Sequence, residues 1–308
     1  PPERRVADGR APILRIASPG LSATIQGVPG GGRGLGASGI PPGGAIDPIG
    51  LARANARVGN APGLAGIEMA FVGCELEVLE DTVVACAGGF EPERNGRPAP
   101  PEEAFTVAKG DRLRLGRVRR GVWGYLAVRG GLEPPARFAP QPRLSAGDLV
   151  AAGTERAAAA RVTNAGDPEA PREIRLRALP GPEADAFAPS ELARFFESSW
   201  RVSTESDRRG LRLEGLDGAA PLAHLATSTS EIPPSGMVPG SIQVPGGGLP
   251  IVLGPDGPVT GGYPRIATVI GADRPLLGRA GPGALVRFVR VGLEEALEAR
   301  SSLSAGVS

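Results

Sequence analysis

Seven residues, Val259-Thr260-Gly261-Gly262-Tyr263-Pro264-Arg265, place a hydroxyl, two glycines, a phenol and a guanidinium on one short loop. Adjacent glycines let the backbone take positive φ and let another group approach closely. The loop therefore offers backbone N–H groups, donors from Thr260 and Tyr263, and a fixed positive charge on Arg265. Two readings follow. Gly261 and Gly262 satisfy the geometry of a tight hairpin, or the backbone N–H groups form a pocket for an anion or carboxylate with Arg265 beside it.

Four other places carry chemistry. Glu68 lies inside the apolar run Ile67-Glu68-Met69, and a carboxylate there must be paired or face a cavity. Arg208 and Arg212 follow Asp207, either as a surface ion-pair network that contributes little or as a hold for phosphate or carboxylate. Asp47 precedes Pro48, which fits a helix N-cap with proline at the first helical position. Asn55, further along that helix, is either buried packing or a ligand contact. A Ser-His-Asp or Cys-His arrangement cannot be built around the single histidine, His224. No G-x-x-x-x-G-K-[ST] motif occurs, and Lys109, in a turn, is the only lysine. Catalysis by this chain would rest on carboxylates, arginines and backbone donors.

The elements that position these groups are short. Residues 231–273 hold three β-type runs, Ile242–Val244, Ile251–Leu253 and Ile266–Ile270, separated by Pro/Gly breaks. Further strands are predicted at Ile13–Ile16, Ala23–Gln26, Glu75–Leu79, Thr82–Ala87, Arg112–Leu115, Trp200–Ser203 and Ala284–Phe288. A helix opens at Asp47-Pro48 with Ile49, Ala52, Ala56 and Val58 on its inner side and Gly59 at its end. Two more helices are predicted, Ser190–Phe196 with Ser190 as N-cap and Leu293–Arg300, followed by a disordered tail after Ser301. Residues 1–11 read as a disordered lead-in, and 151–172 as an irregular Ala-, Arg- and Pro-rich boundary between domains.

Composition narrows the class. The 34 basic and 33 acidic residues balance, which points to neither a nucleic-acid nor a membrane surface. Glycine (47) and proline (33) spread between short strands fit an all-β sheet or barrel protein, and 41% hydrophobic residues support a packed core. Cys74 and Cys86 fall on expected neighbouring strands and read as small buried hydrophobes. No apolar run is long enough for a transmembrane helix, and the N-terminus lacks a signal-peptide core, so a cytoplasmic location is expected.

The central stretch carries more than chemistry. Pro239-Gly240-Ser241-Ile242-Gln243-Val244-Pro245, Gly248–Leu253 and Thr260–Ala267 follow one another as a signature. Gly44-Ala45-Ile46-Asp47, Ala54–Asn60, Ile67–Met69, Trp123–Gly131, Arg175–Glu183 and Ser206–Leu213 extend it, with Gly31-Gly32-Arg33 supplying a Gly-Arg pair. Together they resemble a biotin-dependent carboxyltransferase-like family. It includes KipA-like proteins, the C-type subunit of 5-oxoprolinase, allophanate hydrolase subunit 2 and part of the carboxyltransferase region of urea carboxylase. The resemblance spans residues 12–298. Two departures are visible: Val259 stands where the family has a first threonine, and Gly27 follows Gln26 where the family has aspartate.

The resemblance implies a mostly β protein of two cyclophilin-like β-barrel domains, at 12–150 and 173–298, with a few short helices. It implies a subunit of an ATP-dependent 5-oxoprolinase, which opens the lactam of 5-oxo-L-proline to L-glutamate. ATP with Mg is expected in the complex, with no covalently bound cofactor and no metal-ligand set. The expected partners are a KipI-like B-type subunit and a LamB/YcsF-like A-type subunit. Glu68, Glu231 and Arg265 are implied in the chemistry, a carboxylate orienting water or a ring N–H. Arg33, Asp47, Asn55, Arg208, Arg212, Gln243, Thr260, Gly261, Gly262 and Tyr263 are implied in binding substrate or nucleotide. Two alternatives stay open. One is carboxyl transfer in urea or allophanate metabolism. The other is a non-catalytic KipA-like regulator, which the missing aspartate after Gln26 favours.

Overall fold

The computed structural model describes residues 11–27, 35–119, 121–133, 141–153, 173–216, 218–225 and 231–306. They form two compact units, one from residues 11–27 and 42–153, the other from 35–41 and 173–306. Arg33 and nearly all of the expected boundary at 151–172 lie outside the described residues. The chain is mostly β with few helices.

The first unit holds eleven strands among its described residues. They are β1 (Pro12–Ser18), β2 (Ser22–Gln26), β3 (Gly66–Ala70), β4 (Glu75–Val78), β5 (Thr82–Ala87), β6 (Glu93–Arg94), β7 (Arg97–Pro98), β8 (Phe105–Val107), β9 (Arg112–Arg114), β10 (Trp123–Val128) and β11 (Leu149–Ala151). One sheet runs β11-β1-β4-β9-β6-β7 and the other β2-β3-β10-β5-β8. The second sheet buries both faces, and period-2 alternation sorts its residues. Leu126 and Val128 of β10 join the core with Leu14, Ile16 and Leu76. Tyr125 and Ala127 face the other way, with Ala85 and Ala87, toward helix α1 (Pro48–Arg57).

Alanines on that face, and Gly50 on the helix, let α1 approach closely: a Cβ at Gly50 would lie 2.9 Å from the Tyr125 ring. The helix turns inward Gly50, Leu51, Ala54, Asn55 and Arg57, not the expected Ile49, Ala52 and Ala56. The buried row follows Leu51, Ala54, Asn55 and Val58 at helical spacing. Polar Asn55 on it hid the pattern. Cys74 and Cys86 are both buried without a disulfide. They belong to different sheets rather than neighbouring strands, Cys74 preceding β4 and Cys86 within β5. Burial pushes the Cys74 thiol up to about 12, which disfavours the thiolate.

The second unit contains β12 (Glu173–Pro180), β13 (Ser199–Val202), β14 (Gly210–Gly215), β15 (Ser235–Gly236), β16 (Ser241–Gln243), β17 (Ile251–Leu253), β18 (Thr260–Gly261), β19 (Arg265–Val269) and β20 (Leu285–Arg290). Seven of them close a barrel in the order β12-β19-β16-β17-β14-β13-β20. The closing seam is parallel, with β12 and β20 in register from Glu173↔Leu285 to Ala178↔Arg290. Leu176, Leu211, Leu213, Ile242, Val252, Ile266, Val286 and Phe288 are buried in its core. A separate ribbon pairs β15 with β18.

Helix α2 (Pro189–Glu197) stacks Phe195 on Phe288 at 4.8 Å between ring centroids. Its N-cap is Ala188 without a side-chain bond, not the expected Ser190, because Pro189 already occupies the first turn. Helix α3 (Leu293–Gly306) continues past Ser301, where a disordered tail was expected. No proline or glycine interrupts residues 301–305, and the Ser301 and Ser302 hydroxyls turn back to the Leu297 and Glu298 carbonyls, each at 3.1 Å. Among the described residues no helix is long and apolar enough to cross a membrane.

Candidate functional site

In the first unit the candidates gather at the start of α1. Asp47 caps the helix: its Oδ1 accepts the N–H groups of Ile49 (3.1 Å) and Gly50 (3.0 Å). Glu68, only 1% exposed, accepts the Ile46 N–H at 2.8 Å and the Tyr125 hydroxyl at 2.9 Å through Oε2. The Tyr125 oxygen in turn accepts the Asp47 N–H at 2.9 Å. Burial, then the charges of Glu68 and Asp47, push the Tyr125 phenol well above its ordinary value, so it stays a donor. Glu68 therefore fastens the entry of α1 to the sheet through Tyr125. Asn55, fully buried, donates to the carbonyls of Pro62 (3.3 Å) and Leu64 (2.8 Å) and accepts from Asn60 at 2.9 Å. Its amide hydrogens are directed at backbone, which clamps the 60–64 loop beside the helix.

In the second unit strand register assembles a row. Arg212 pairs with Ile251, Ile251 with Gln243, and Gln243 with Arg265. Directly paired residues share a face. Their neighbours Leu211, Val252, Ile242 and Ile266 fill the barrel core, so the row lies on the barrel's outer surface. The ribbon β15–β18 covers its middle. A Cβ on Gly261 would fall 2.7 Å from Gln243 Nε2 and 2.9 Å from Met237 Cε, and Gln243 is only 4% exposed. The ribbon is held further by Ile232 N–H to Gly262 O (2.7 Å) and Met237 N–H to Val259 O (2.8 Å). Thr260, Tyr263 and Glu231 are exposed on or beside this ribbon.

Both glycines have ordinary backbone conformations, contrary to the expected use of positive φ. Gly261 instead packs closely on the side-chain ends of Gln243 and Met237. The loop is thus neither a tight glycine turn nor a left-handed anion nest.

Arg265 is committed elsewhere. Its Nε and Nη2 grip Glu183 at 2.8 and 2.6 Å, and Nη1 donates to Gly236 O at 2.8 Å. This bidentate bond holds the Glu183 carboxyl below its usual range. Sequence reasoning assigns Glu183 no role beyond closing the run Arg175–Glu183. The signal that could have found it is Gly181, where a Cβ would lie 2.1 Å from Arg265 O, so only glycine lets that turn reach β19.

Arg208 forms a second bidentate pair, with Asp256 at 2.7 and 2.9 Å, and their side chains are 12% and 8% exposed. It is neither a surface network nor an open cation. Arg212 is exposed and forms no ion pair among the described residues. His224 rests on Phe187 and bonds Val244 O at 3.0 Å. Elsewhere on this unit, a groove of about 520 Å³ runs between β19, Val238 and α3. Among the described residues no group of three His, Cys, Asp or Glu could hold a metal ion.

The second unit is thus a seven-stranded β-barrel with Arg212 and Gln243 in one outer row. The profile described as carboxyltransferase domain, subdomain A and B, matches residues 38–290. The chain is 33% identical over 300 residues to the C-type subunit of 5-oxoprolinase from Escherichia coli, covering 94% of each. It is 31% identical to the Haemophilus influenzae protein of the same name, covering 90% of this chain and 91% of that one. The crystal structure of Kluyveromyces lactis urea carboxylase superposes with a TM-score of 0.83 at 25% identity. There the match covers 98% of this chain but 29% of that one. The chain belongs to the carboxyltransferase subdomain A and B family.

Proposed function

We propose that the chain is the C-type subunit of a 5-oxoprolinase and helps open 5-oxo-L-proline to L-glutamate. One observation carries this reading. The match to the Escherichia coli 5-oxoprolinase chain runs nearly end to end in both proteins, whereas the urea carboxylase holds the same fold within a much longer chain. The outer row fits such a substrate: Gln243 can face an amide and Arg212 a carboxylate.

A lactam is a poor electrophile, and ATP would activate it by phosphorylation. The residues of this chain do not fit ATP at the glycine loop. Arg265 and Arg208 are already paired, and Gly261 and Gly262 form no nest. We therefore assign ATP with Mg to the complex, which by this reading also contains a KipI-like B-type subunit and a LamB/YcsF-like A-type subunit. The chain alone would be inactive.

A second reading, carboxyl transfer from biotin carried on another protein, is favoured by the TM-score of 0.83 to urea carboxylase. Glutamate release from 5-oxoproline and ATP separates the two. We expect it only when this chain and both partner proteins are mixed, with at least tenfold loss for Arg212→Ala. No glutamate from a verified, stable complex would move the assignment to carboxyl transfer or regulation.

A further inference from the structure

Beneath the ribbon one polar group lacks the partner that buried groups normally have, and a second has only a weak one. Gln243 is more than nine-tenths buried, yet its carboxamide makes one contact among the described residues, Nε2 to the Met237 sulfur at 3.7 Å. A thioether is a weak acceptor. The Ser235 Oγ is shut off from solvent and has no hydrogen-bond partner among the described residues.

These groups converge. Ser235 is the direct register partner of Gly261, so its side chain leaves the ribbon on the same face as the missing Gly261 Cβ. That face looks onto Gln243 Nε2 and Met237. Gly261 brings the ribbon backbone close to both: a Cβ there would lie 2.7 Å from Gln243 Nε2 and 2.9 Å from Met237 Cε.

We infer that Gln243 and Ser235 together read a planar ligand head that carries N–H beside C=O, and that Met237 holds its place. The inference rests on the proposal above that Gln243 and Arg212 of the outer row face the substrate. A carboxamide presents a donor and an acceptor in one plane, the complement of an amide, lactam or ureide edge. The serine hydroxyl can serve either partner. Met237 is 6% exposed and has the flexible, unbranched side chain suited to moving aside. Arg212, two strands along the same row, meets an attached carboxylate at a distance of roughly 10 Å between strands, within reach of its long side chain. Carbonyl, N–H and carboxylate would then be recognised by separate residues. Arg265 stays in its pair with Glu183.

The test is ligand-observed NMR titration of the full chain with 5-oxo-L-proline, urea and biotin, with L-proline as the control lacking the lactam carbonyl. We expect one of the three probes to bind and L-proline not to. Gln243→Leu and Gln243→Glu should each weaken that probe by about tenfold, and Ser235→Ala by about three- to tenfold. The melting temperature of Ser235→Ala should stay level or rise, because an unpaired buried hydroxyl is removed. A merely structural serine would give the reverse, a lower melting temperature with binding intact, and that result overturns the inference.

The proposed function fails separately. Binding of 5-oxo-L-proline unaffected by these variants keeps the oxoprolinase assignment and overturns the inference. Binding of urea or biotin that depends on both residues keeps the inference and sinks the oxoprolinase assignment. No binding by any of the three overturns the inference, while the oxoprolinase assignment is decided by glutamate release from the complex.

Discussion

Arg265 keeps none of its guanidinium nitrogens for a ligand. Two face Glu183 and the third faces the Gly236 carbonyl, so the residue fastens the ribbon and the 181–183 turn to the barrel. The consequence is a pH dependence with a defined sign. The folded Glu183 carboxyl titrates below its ordinary 4.5. Its contribution is complete above that value and is lost as pH falls through the folded one. Glu183→Gln should lower stability at pH 7 by about 1.5–3 kcal/mol, the range for hydrogen bonds to charged groups. The wild-type and variant melting curves should converge as the pH falls below 4.5 and through the lowered folded value. Parallel curves from pH 7 to 3 would show that the pair contributes nothing pH-dependent. Sequence alone located Arg265 and its charge. It could not supply Glu183, 82 positions away, because nothing local marks two residues as partners.

At the scale of elements, α1 is fixed by its first turn. Asp47, Tyr125 and Glu68 form one chain of hydrogen bonds from helix to sheet. Asp47→Ala removes the cap and should cost about 1 kcal/mol in urea unfolding. Tyr125→Phe should cost more, about 1–3 kcal/mol, because it leaves the buried Asp47 N–H without its acceptor and removes a donor from Glu68. Equal losses in the two variants would argue against the chain as drawn. Most element positions were legible: strand alternation, the Asp-Pro opening of α1 and the Pro/Gly breaks are all local signals. The helix faces were less so, since the buried side of α1 includes Asn55 and Arg57. Their polar atoms are satisfied by carbonyls of Pro62, Leu64 and Cys86, contacts that only the tertiary fold creates. The ribbon β15–β18 was invisible for the same reason. Ser235-Gly236 has no strand-like composition and becomes a strand by pairing with Thr260-Gly261.

At the scale of the molecule, the second unit has its own buried cluster, from Ile174 to Phe288, and a barrel that closes on itself. A fragment of residues 171–308 should therefore unfold in a single cooperative transition, read by circular dichroism. A broad, non-cooperative melt would mean that the barrel depends on the first unit. The expected boundary at 151–172 falls almost wholly outside the described residues, and nothing in the sequence marks the addition of residues 35–41 to the second unit. A segment that joins a unit from far away in the chain leaves no local trace.

The parallel seam between β12 and β20 has a kinetic consequence. The first and last strands of the barrel are the ones that must meet, and over a hundred residues separate Glu173 from Leu285. Such a contact has high sequence separation, and closing it is intrinsically slow. As the chain leaves the ribosome, β12 must wait with one edge unpaired until the C-terminal strand has been made. An open edge is a template for pairing with another chain. Its exposure ends only when β20 docks, so a stop even a few residues before Leu285 would give a sticky, aggregating product rather than a shortened barrel.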